Sequence, residues 1–308
     1  MLSYSSGVVK AFSRDYRNLA AIACKKKIVL AQNTTYGLGG EAEAYFPSSI
    51  AAAKAVYGYL SPRGSKIFYL GCGSNVLASD SGYDGGVICT RRLKGIVRAG
   101  KGEIICLAGT TVAQILNYCV QNGLGGLEYL AGIPATIGGI VAMNGGVGGR
   151  YICQNVISVK IFDGKTRTLS NKDCNFEYKQ STMRNINALI LAIRLSVFDD
   201  LPNNVALRIS EYMQGRVKLP KGRSCGCVFK NVRLKDGSLM SAGALIQRCG
   251  LAGFGHEKAF VSAEHCNFII NNGCSASTVR AVIDDVKQIV FKKLGVMLEE
   301  EVVYCGKF

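Results

Sequence analysis

Hydrophobic and polar residues alternate in short runs over residues 33–107, and each run has a glycine or proline nearby. This pattern is typical of short β-strands separated by turns. The predicted strands are residues 42–46, 66–70, 86–90 and 104–107. Between the first two, Ser48 or Ser49 can cap a helix that runs to about Leu60. The first third of the chain is therefore expected to be rich in strands.

Helical spacing appears after Thr111, which can cap a helix that Gly123 ends. Its apolar positions are Val112, Ile115, Leu116, Cys119 and Val120. Residues 156–163 and 188–198 again read as strands. The sequence Leu201-Pro202-Asn203-Asn204 is predicted to mark a domain boundary.

Beyond that boundary the pattern predicts a second mixture of helices and strands. Helices are expected at residues 241–249 and 277–294, and Gly295 ends the second one. Strands are expected at residues 266–270 and 301–304. The predicted fold class is α+β throughout.

The composition is that of a globular protein with room for two or three domains. The chain has 308 residues, of which 48% are hydrophobic and 19% charged. No apolar run approaches the ~20 residues that a membrane helix requires. Residues 1–6 lack the charged start of a secretory signal. A cytoplasmic protein without membrane insertion is expected.

Cysteine and histidine usage argues against disulfides and metal sites. The thirteen cysteines are odd in number, and a large chain without an export signal is expected to keep them reduced. Cys225-Gly226-Cys227 is spaced too closely for a zinc pair. His256 and His265 are the two histidines of the chain. No metal is therefore predicted.

The net charge of +16 favours anionic partners. Its basic residues are scattered, and no basic stripe interleaved with aromatic residues is present. A generally basic surface is the simpler interpretation, and no nucleic-acid partner is expected. A nucleotide ligand would also benefit from the positive potential.

Two glycine-rich loops, at residues 71–77 and 131–146, suggest a large cofactor that carries phosphate groups. Backbone N–H groups in such turns form anion-binding concavities. The simpler alternative is two tight turns. The first loop lacks a third glycine at Val76, which disfavours a Rossmann fingerprint and favours FAD between two subdomains. The candidate cofactor residues are Gly71, Gly73, Ser74, Asn75, Gly132, Pro134, Thr136, Gly138, Gly139, Asn144 and Gly146.

Eight sequence blocks in one unbroken order carry a resemblance to a known family. The blocks are Asn33-Thr34-Thr35 with Gly39-Gly40, the loop at 71–77, residues 132–139 and 144–146, Tyr178 with Ser181, and residues 226–231, 265–271 and 295–302. Through them the chain, over residues 30–305, resembles the UDP-N-acetylenolpyruvoylglucosamine reductase (MurB) family of peptidoglycan biosynthesis.

The resemblance implies a two-subdomain FAD-binding fold of the vanillyl-alcohol-oxidase type, followed by an α+β substrate domain. The expected domains are residues 1–84, 85–200 and 201–308. NADPH would reduce FAD, and the flavin would reduce UDP-GlcNAc-enolpyruvate to UDP-N-acetylmuramate. This reaction would serve cell-wall formation, and with it cell shape, the cell cycle and cell division. A monomer with a nucleotide-sugar substrate is expected.

The resemblance also assigns three catalytic residues, two of which depart from the family pattern. Cys227 stands where the family has a serine that donates a proton, and a thiol is a far stronger acid than an alcohol. Lys179 stands in place of an arginine, which keeps the charge but loses the two-pronged contact with a carboxylate. Arg184 is a candidate to supply the missing guanidinium. Glu301 matches the family's glutamate.

Further expectations concern the surroundings of these residues. Strand alternation would put Glu299 and Glu301 on one face and Glu300 on the other. The candidate substrate-binding residues are Tyr178, Lys230, Asn231 and His265, although His265 equally suits a structural role. Ala135 and the glycines near residue 148 depart from the family's flavin loop and predict weaker FAD binding.

Two other functions remain open from the sequence. One is a flavin oxidase on the same fold, although both histidines lie beyond residue 250, away from the flavin domain where such enzymes attach FAD. The other is a flavin- or nucleotide-binding protein that has lost turnover, as the exchanges at Lys179 and Cys227 would suggest.

Overall fold

The first unit is a mixed sheet with one helix against it. The computed structural model describes residues 24–308 except 65, 187 and 234–236. The elements are β1 (Lys26–Val29), β2 (Glu41–Tyr45), α1 (Ile50–Leu60), β3 (Ile67–Leu70), β4 (Val76–Ala78) and β5 (Tyr83–Cys89). The sheet order is β1-β2-β5-β3. Ser49 caps α1, because its hydroxyl accepts the Ala52 N–H at 3.1 Å.

The direction of these strands positions the first glycine loop. Strands β2 and β3 both run parallel to β5, so their carboxyl ends lie at one edge of the sheet. The loop at residues 71–75 follows β3 directly at this edge. Ligands of sheets with parallel strands commonly bind at such an edge.

The second unit is a five-stranded antiparallel sheet with helices. Its elements are β6 (Ile96–Arg98), β7 (Glu103–Leu107), α2 (Val112–Asn122), β8 (Leu124–Gly125), α3 (Ile137–Ala142), β9 (Gly146–Val147), β10 (Arg150–Tyr151), β11 (Val156–Phe162), β12 (Thr166–Ser170), α4 (Thr182–Asn185), β13 (Leu189–Ser196) and β14 (Phe198–Asp199). The main sheet has the order β12-β11-β13-β7-β6. Thr111 and Gln114 form the capping box of α2, and Gly123 ends it with a φ of 58°.

A helix that the sequence pattern did not predict, α5 (Pro202–Arg216), starts at the expected domain boundary. It packs back against α2 and residues 128–130, and Val205 joins the core of the second unit. Strand β5 likewise crosses the expected boundary at residues 84 and 85. We therefore propose boundaries near residues 89 and 216. The first expected domain, residues 1–84, includes an N-terminal extension to the FAD-binding subdomain, and residues 1–23 lie outside the described residues.

The third unit contains β15 (Val232–Arg233), β16 (Leu239–Met240), α6 (Ala242–Arg248), β17 (Gly255–His256), β18 (Ala259–Val261), β19 (Ile269–Asn271), α7 (Ala276–Leu294) and β20 (Val303–Cys305). Helix α7 buries one face, including Val279, Val282 and Val286. In this unit, strands β19 and β20 begin three and two residues later than the sequence pattern predicts. Strand β20 pairs in parallel with β4, so the end of the chain joins the first unit.

Three further features of the described residues concern the cysteines, the helices and possible metal ligands. All thirteen cysteines are free. None of the described helices is long and apolar enough to cross a membrane. No group of three or more His, Cys, Asp or Glu side chains among the described residues could hold a metal ion.

Candidate active site

The two glycine loops are in contact. A Cβ atom added to Gly71 would lie 2.4 Å from Thr136 Oγ1, so only glycine fits at this position. Thr136 in turn caps α3, because its hydroxyl accepts the Gly139 N–H at 3.3 Å. The fold therefore brings the two predicted cofactor loops together at one place.

The first loop offers hydrogen-bond donors for an anion. Within the described residues, the backbone N–H groups of residues 72–75, that of Ser74 among them, donate no hydrogen bond to another backbone group. Burial raises the pKa of the Cys72 thiol, and the nearby positive charge of Arg91 opposes this rise. Free N–H donors beside a guanidinium fit a diphosphate. Gly73 has a different role, because its φ of 67° and a gap of 2.3 Å from a built Cβ to Asn33 O make glycine necessary for the turn.

In the second loop, several glycines make room for the protein itself. A Cβ at Gly138 would lie 2.9 Å from Ala108 O, and one at Gly146 would lie 1.8 Å from Arg150 O. Gly132, Pro134 and Gly139 remain exposed. The surface of this loop that is open to a cofactor is therefore formed by these three exposed residues.

Two asparagines anchor the loops to the segments of the predicted catalytic residues. The Asn75 side chain donates to Glu301 O at 3.0 Å, and Asn75 O accepts the Val303 N–H at 3.0 Å. The Asn144 side chain donates to Glu177 O at 2.8 Å and accepts the Cys153 N–H at 3.2 Å. Asn75 thus positions the segment of Glu301, and Asn144 positions the turn that carries Lys179.

Lys179 and Glu301 form an ion pair in the cleft between the second and third units. Lys179 Nζ lies 2.9 Å from Glu301 Oε1, and the side chains are 18% and 12% exposed. Burial acts to lower the pKa of Lys179, but the charge and hydrogen bond of Glu301 outweigh it and raise that pKa. Lys179 holds a left-handed conformation with a φ of 56°. Such strain in a non-glycine residue is common at functional sites.

Cys227 lies within reach of this pair. The Glu301 N–H donates to Val228 O at 2.7 Å, which places the two segments side by side. Burial, together with the Glu301 carboxylate, raises the pKa of the Cys227 thiol to about 11. The cations of Lys179 and Arg216 oppose this rise. The thiol is therefore protonated at neutral pH, and the three predicted catalytic residues form one cluster.

Three of the four predicted substrate residues line a cavity of about 610 Å³. Tyr178 OH accepts the Asn231 N–H at 3.2 Å, and Lys230 pairs with Glu299 at the rim. His265 does not line this cavity. Its ring contacts Phe268, with 4.9 Å between the ring centroids, and its Nδ1 accepts the Asn267 N–H at 3.3 Å. These contacts give His265 a structural role.

The three consecutive glutamates pair with three different lysines. Glu299 and Glu301 both face the cleft, where they pair with Lys230 and Lys179. Glu300 points to α7, where its carboxylate lies 2.8 Å from Lys287 Nζ. The predicted alternation is therefore present, although β20 begins two residues after Glu301.

The sequence pattern missed Arg216, whose positive charge acts on the pKa of Cys227. Arg216 is the last residue of α5, and the failure to predict that helix hid its position. Arg184, the candidate for the missing guanidinium, is exposed and donates to Lys179 O at 3.3 Å. Arg184 thus supports the backbone of the Lys179 turn.

Comparisons with known proteins agree with this geometry. The family model of the UDP-N-acetylenolpyruvoylglucosamine reductase C-terminal domain matches residues 218–305, and that of an FAD binding domain matches residues 42–170. The protein of that reductase name from Prochlorococcus marinus (strain NATL2A) is 34% identical, over 93% of this chain and 99% of its own length. The chain belongs to this reductase family. The one from Moorella thermoacetica is 33% identical, over 90% of this chain and 92% of its own length.

The structure of the family member from Thermus caldophilus matches with a TM-score of 0.73 and 30% identity, over 91% of this chain and 98% of that one. These matches confirm the α+β fold of the vanillyl-alcohol-oxidase type with a C-terminal domain. They also confirm that the chain is an FAD-dependent oxidoreductase of the reductase family. The free N–H donors at residues 72–75 and the adjacent Arg91 charge fit the diphosphate of FAD.

Proposed function

We propose that this protein reduces UDP-GlcNAc-enolpyruvate to UDP-N-acetylmuramate with electrons from NADPH, in the synthesis of peptidoglycan precursors. The observation that carries the proposal is the cluster of Cys227, Lys179 and Glu301, which is hydrogen-bonded to the first glycine loop through Asn75 and adjoins the cavity at Tyr178. The names of the relatives support the same reaction.

Bound FAD would supply the hydride that adds to the enolpyruvyl double bond. Cys227 would donate a proton to the other carbon of that bond. The burial that raises its pKa to about 11 keeps the proton on sulfur until charge develops on the substrate. Before the transfer the neutral thiol avoids a buried charge beside Glu301, and after it the cations of Lys179 and Arg216 would offset the charge of the thiolate that remains.

The ion pair would orient the reaction and offset developing charge. Lys179 keeps its positive charge because of Glu301, and a fixed cation stabilises negative charge that spreads into the substrate's carboxylate. Glu301 is itself fixed, since its backbone bonds to Val228 and to the Asn75 side chain. The pair therefore arrives at the reaction already oriented.

The nucleotide sugar would occupy the cavity lined by Tyr178, Lys230 and Asn231. A lysine ammonium and an amide suit a diphosphate and a base, respectively. Lys230 pairs with Glu299 at the rim, so a bound phosphate would replace Glu299 as the anionic partner of Lys230. The proposal further assigns FAD to the two glycine loops, and it expects a monomer in the cytoplasm.

The test is a spectrum of the purified protein followed by an NADPH assay. A yellow protein that oxidises NADPH only when UDP-GlcNAc-enolpyruvate is present supports the proposal. Hydrogen peroxide release without this substrate would instead support a flavin oxidase. A protein that binds FAD and the substrate without turnover would be a degenerate member of the family.

A further inference from the structure

The side chain of Arg216 lies across the second glycine loop. A Cβ atom at Gly132 would sit 2.5 Å from Arg216 Cδ and 2.9 Å from its Nε, while Gly132 itself has a φ of 75°. Any other residue at position 132 would push the guanidinium away. Gly132 therefore makes room for an arginine as well as facing the cofactor side.

The guanidinium of Arg216 has no counter-ion. Among the described residues, neither an ion pair nor a side-chain hydrogen bond involves Arg216, and its positive charge lies near enough to Cys227 to oppose the rise in the pKa of that thiol. Its side chain is half-buried, so burial lowers the pKa of Arg216. A half-buried cation without an anion is costly unless a ligand supplies one.

Lys179 alone offers a substrate carboxylate little net charge, because Glu301 shares its ammonium. Its ammonium is already paired with Glu301 at 2.9 Å, so the pair as a whole is neutral. A substrate carboxylate that approached Cys227 would therefore meet a neutral ion pair on one side and Arg216 on the other. A guanidinium also offers the two parallel N–H donors that match a carboxylate, which an ammonium does not.

We propose that Arg216 binds the carboxylate of the enolpyruvyl group and holds it beside Cys227, supplying the two-pronged contact that the lysine at 179 cannot make. This inference rests on the proposed reaction. It assigns the role to a residue on α5, outside the sequence block that contains Lys179.

The experiment compares Arg216→Met and Arg216→Lys with Arg248→Met, a matched loss of an exposed arginine at the end of α6. Flavin absorbance is titrated with UDP-GlcNAc-enolpyruvate and with UDP-GlcNAc, which lacks the carboxylate. We expect Arg216→Met to lower both kcat/KM and the affinity for UDP-GlcNAc-enolpyruvate by about 100-fold or more, the usual effect of losing one oriented hydrogen-bond donor. Affinity for UDP-GlcNAc and the FAD content should be unchanged. Arg216→Lys should recover part of the loss, and Arg248→Met should behave as wild type.

Several outcomes would overturn this assignment. An equal loss of affinity for both ligands would show that Arg216 contacts the nucleotide, and a loss of FAD would show that it contacts the cofactor. The same loss with Arg248→Met would show a general effect of removing positive charge rather than a specific contact of Arg216. If the wild-type protein neither binds nor reduces the enolpyruvate, the proposed reaction fails first, and the carboxylate site fails with it.

Discussion

The ammonium of Lys179 lies 2.9 Å from the carboxylate of Glu301, and the backbone of Lys179 itself has a left-handed conformation. The two residues come from different units of the fold. Each side chain is mostly buried, so the pair depends on both partners. The arrangement ties the catalytic cluster to the packing of the second unit against the third.

Removal of the lysine should therefore cost both stability and activity. Lys179→Met leaves the Glu301 carboxylate buried without a partner, which typically costs about 3–5 kcal/mol. Urea denaturation would measure the loss in the free energy of unfolding. The double variant Lys179→Met with Glu301→Gln should regain part of it, because no lone charge remains. A loss in the double variant equal to the sum of the losses of Lys179→Met and Glu301→Gln would show that the pair is not coupled.

The proton donor can be tested by exchange of a single atom. Cys227→Ser should keep measurable activity, because a hydroxyl takes the place of the thiol. Cys227→Ala should lower kcat by about 100- to 10,000-fold, the usual contribution of a general acid. Stopped-flow absorbance should show that NADPH still reduces the flavin at the wild-type rate. Normal turnover by Cys227→Ala would place the donor elsewhere.

Stability should fall at alkaline pH, in part through Cys227. Its pKa is about 11 in the folded protein, against about 8.5 for a free thiol in the unfolded chain. Between these values the unfolded chain releases the proton and the folded protein keeps it, so stability is lost as the pH rises. Thermal unfolding across this window should show a shallower decline for Cys227→Ser. Parallel curves for the two proteins would contradict the raised pKa.

The cavity wall depends on the Tyr178 hydroxyl. Tyr178→Phe removes the acceptor of the Asn231 N–H, and an unpaired, partly buried donor costs about 1–3 kcal/mol. We expect a weaker affinity for the nucleotide sugar, measured by calorimetry, together with a lower melting temperature. Tyr151→Phe is the control, since it keeps the edge-to-face contact between the rings of Tyr151 and Tyr178. Identical effects of both variants would argue against a specific role of this hydrogen bond.

The contact between the first and third units has its own test at acidic pH. The Asp80 carboxylate accepts the N–H groups of Ala276 and Ser277 at 2.8 and 3.0 Å, at the start of α7. Burial acts to raise the pKa of Asp80, but these hydrogen bonds lower it overall. Asp80→Asn should destabilise the protein by about 0.5–2 kcal/mol at neutral pH, as for a lost helix cap.

This difference should vanish as the pH falls through the lowered pKa of Asp80, because the contribution of an acid with a lowered pKa is present above its unfolded value and is lost below the folded one. Chemical denaturation of both proteins at several pH values would measure it. A constant difference at all pH values would show that the charge of Asp80 is not involved.

Local sequence signals predicted much of the fold because capping is a local interaction. The helix after Thr111 begins and ends where its cap and its glycine predict, and Ser49 starts α1. Helix α5 escaped detection because its exposed face dominates its composition, with Val205 its one fully buried residue. Its packing on α2 depends on contacts between distant parts of the chain, which the pattern of one segment does not contain.

The residues of the candidate site also fall into those that local motifs predicted and those that they did not. Motif matches located Cys227, Lys179 and Glu301, and the fold brings them together. They could not locate Arg216, which reaches the cluster from a helix in another part of the sequence. Nor could they show that Gly138 and Gly146 accommodate protein backbone, since a glycine in a sequence does not reveal what approaches it.

The parallel pairing of β20 with β4 limits how the enzyme can admit its substrate. The last strand is hydrogen-bonded into the first unit, next to the loop that offers N–H groups to the phosphates. A hinge motion of the whole third unit would have to break that ladder and pull Glu301 away from Asn75. Entry past the Lys230 and Glu299 pair at the rim would leave both of these contacts intact.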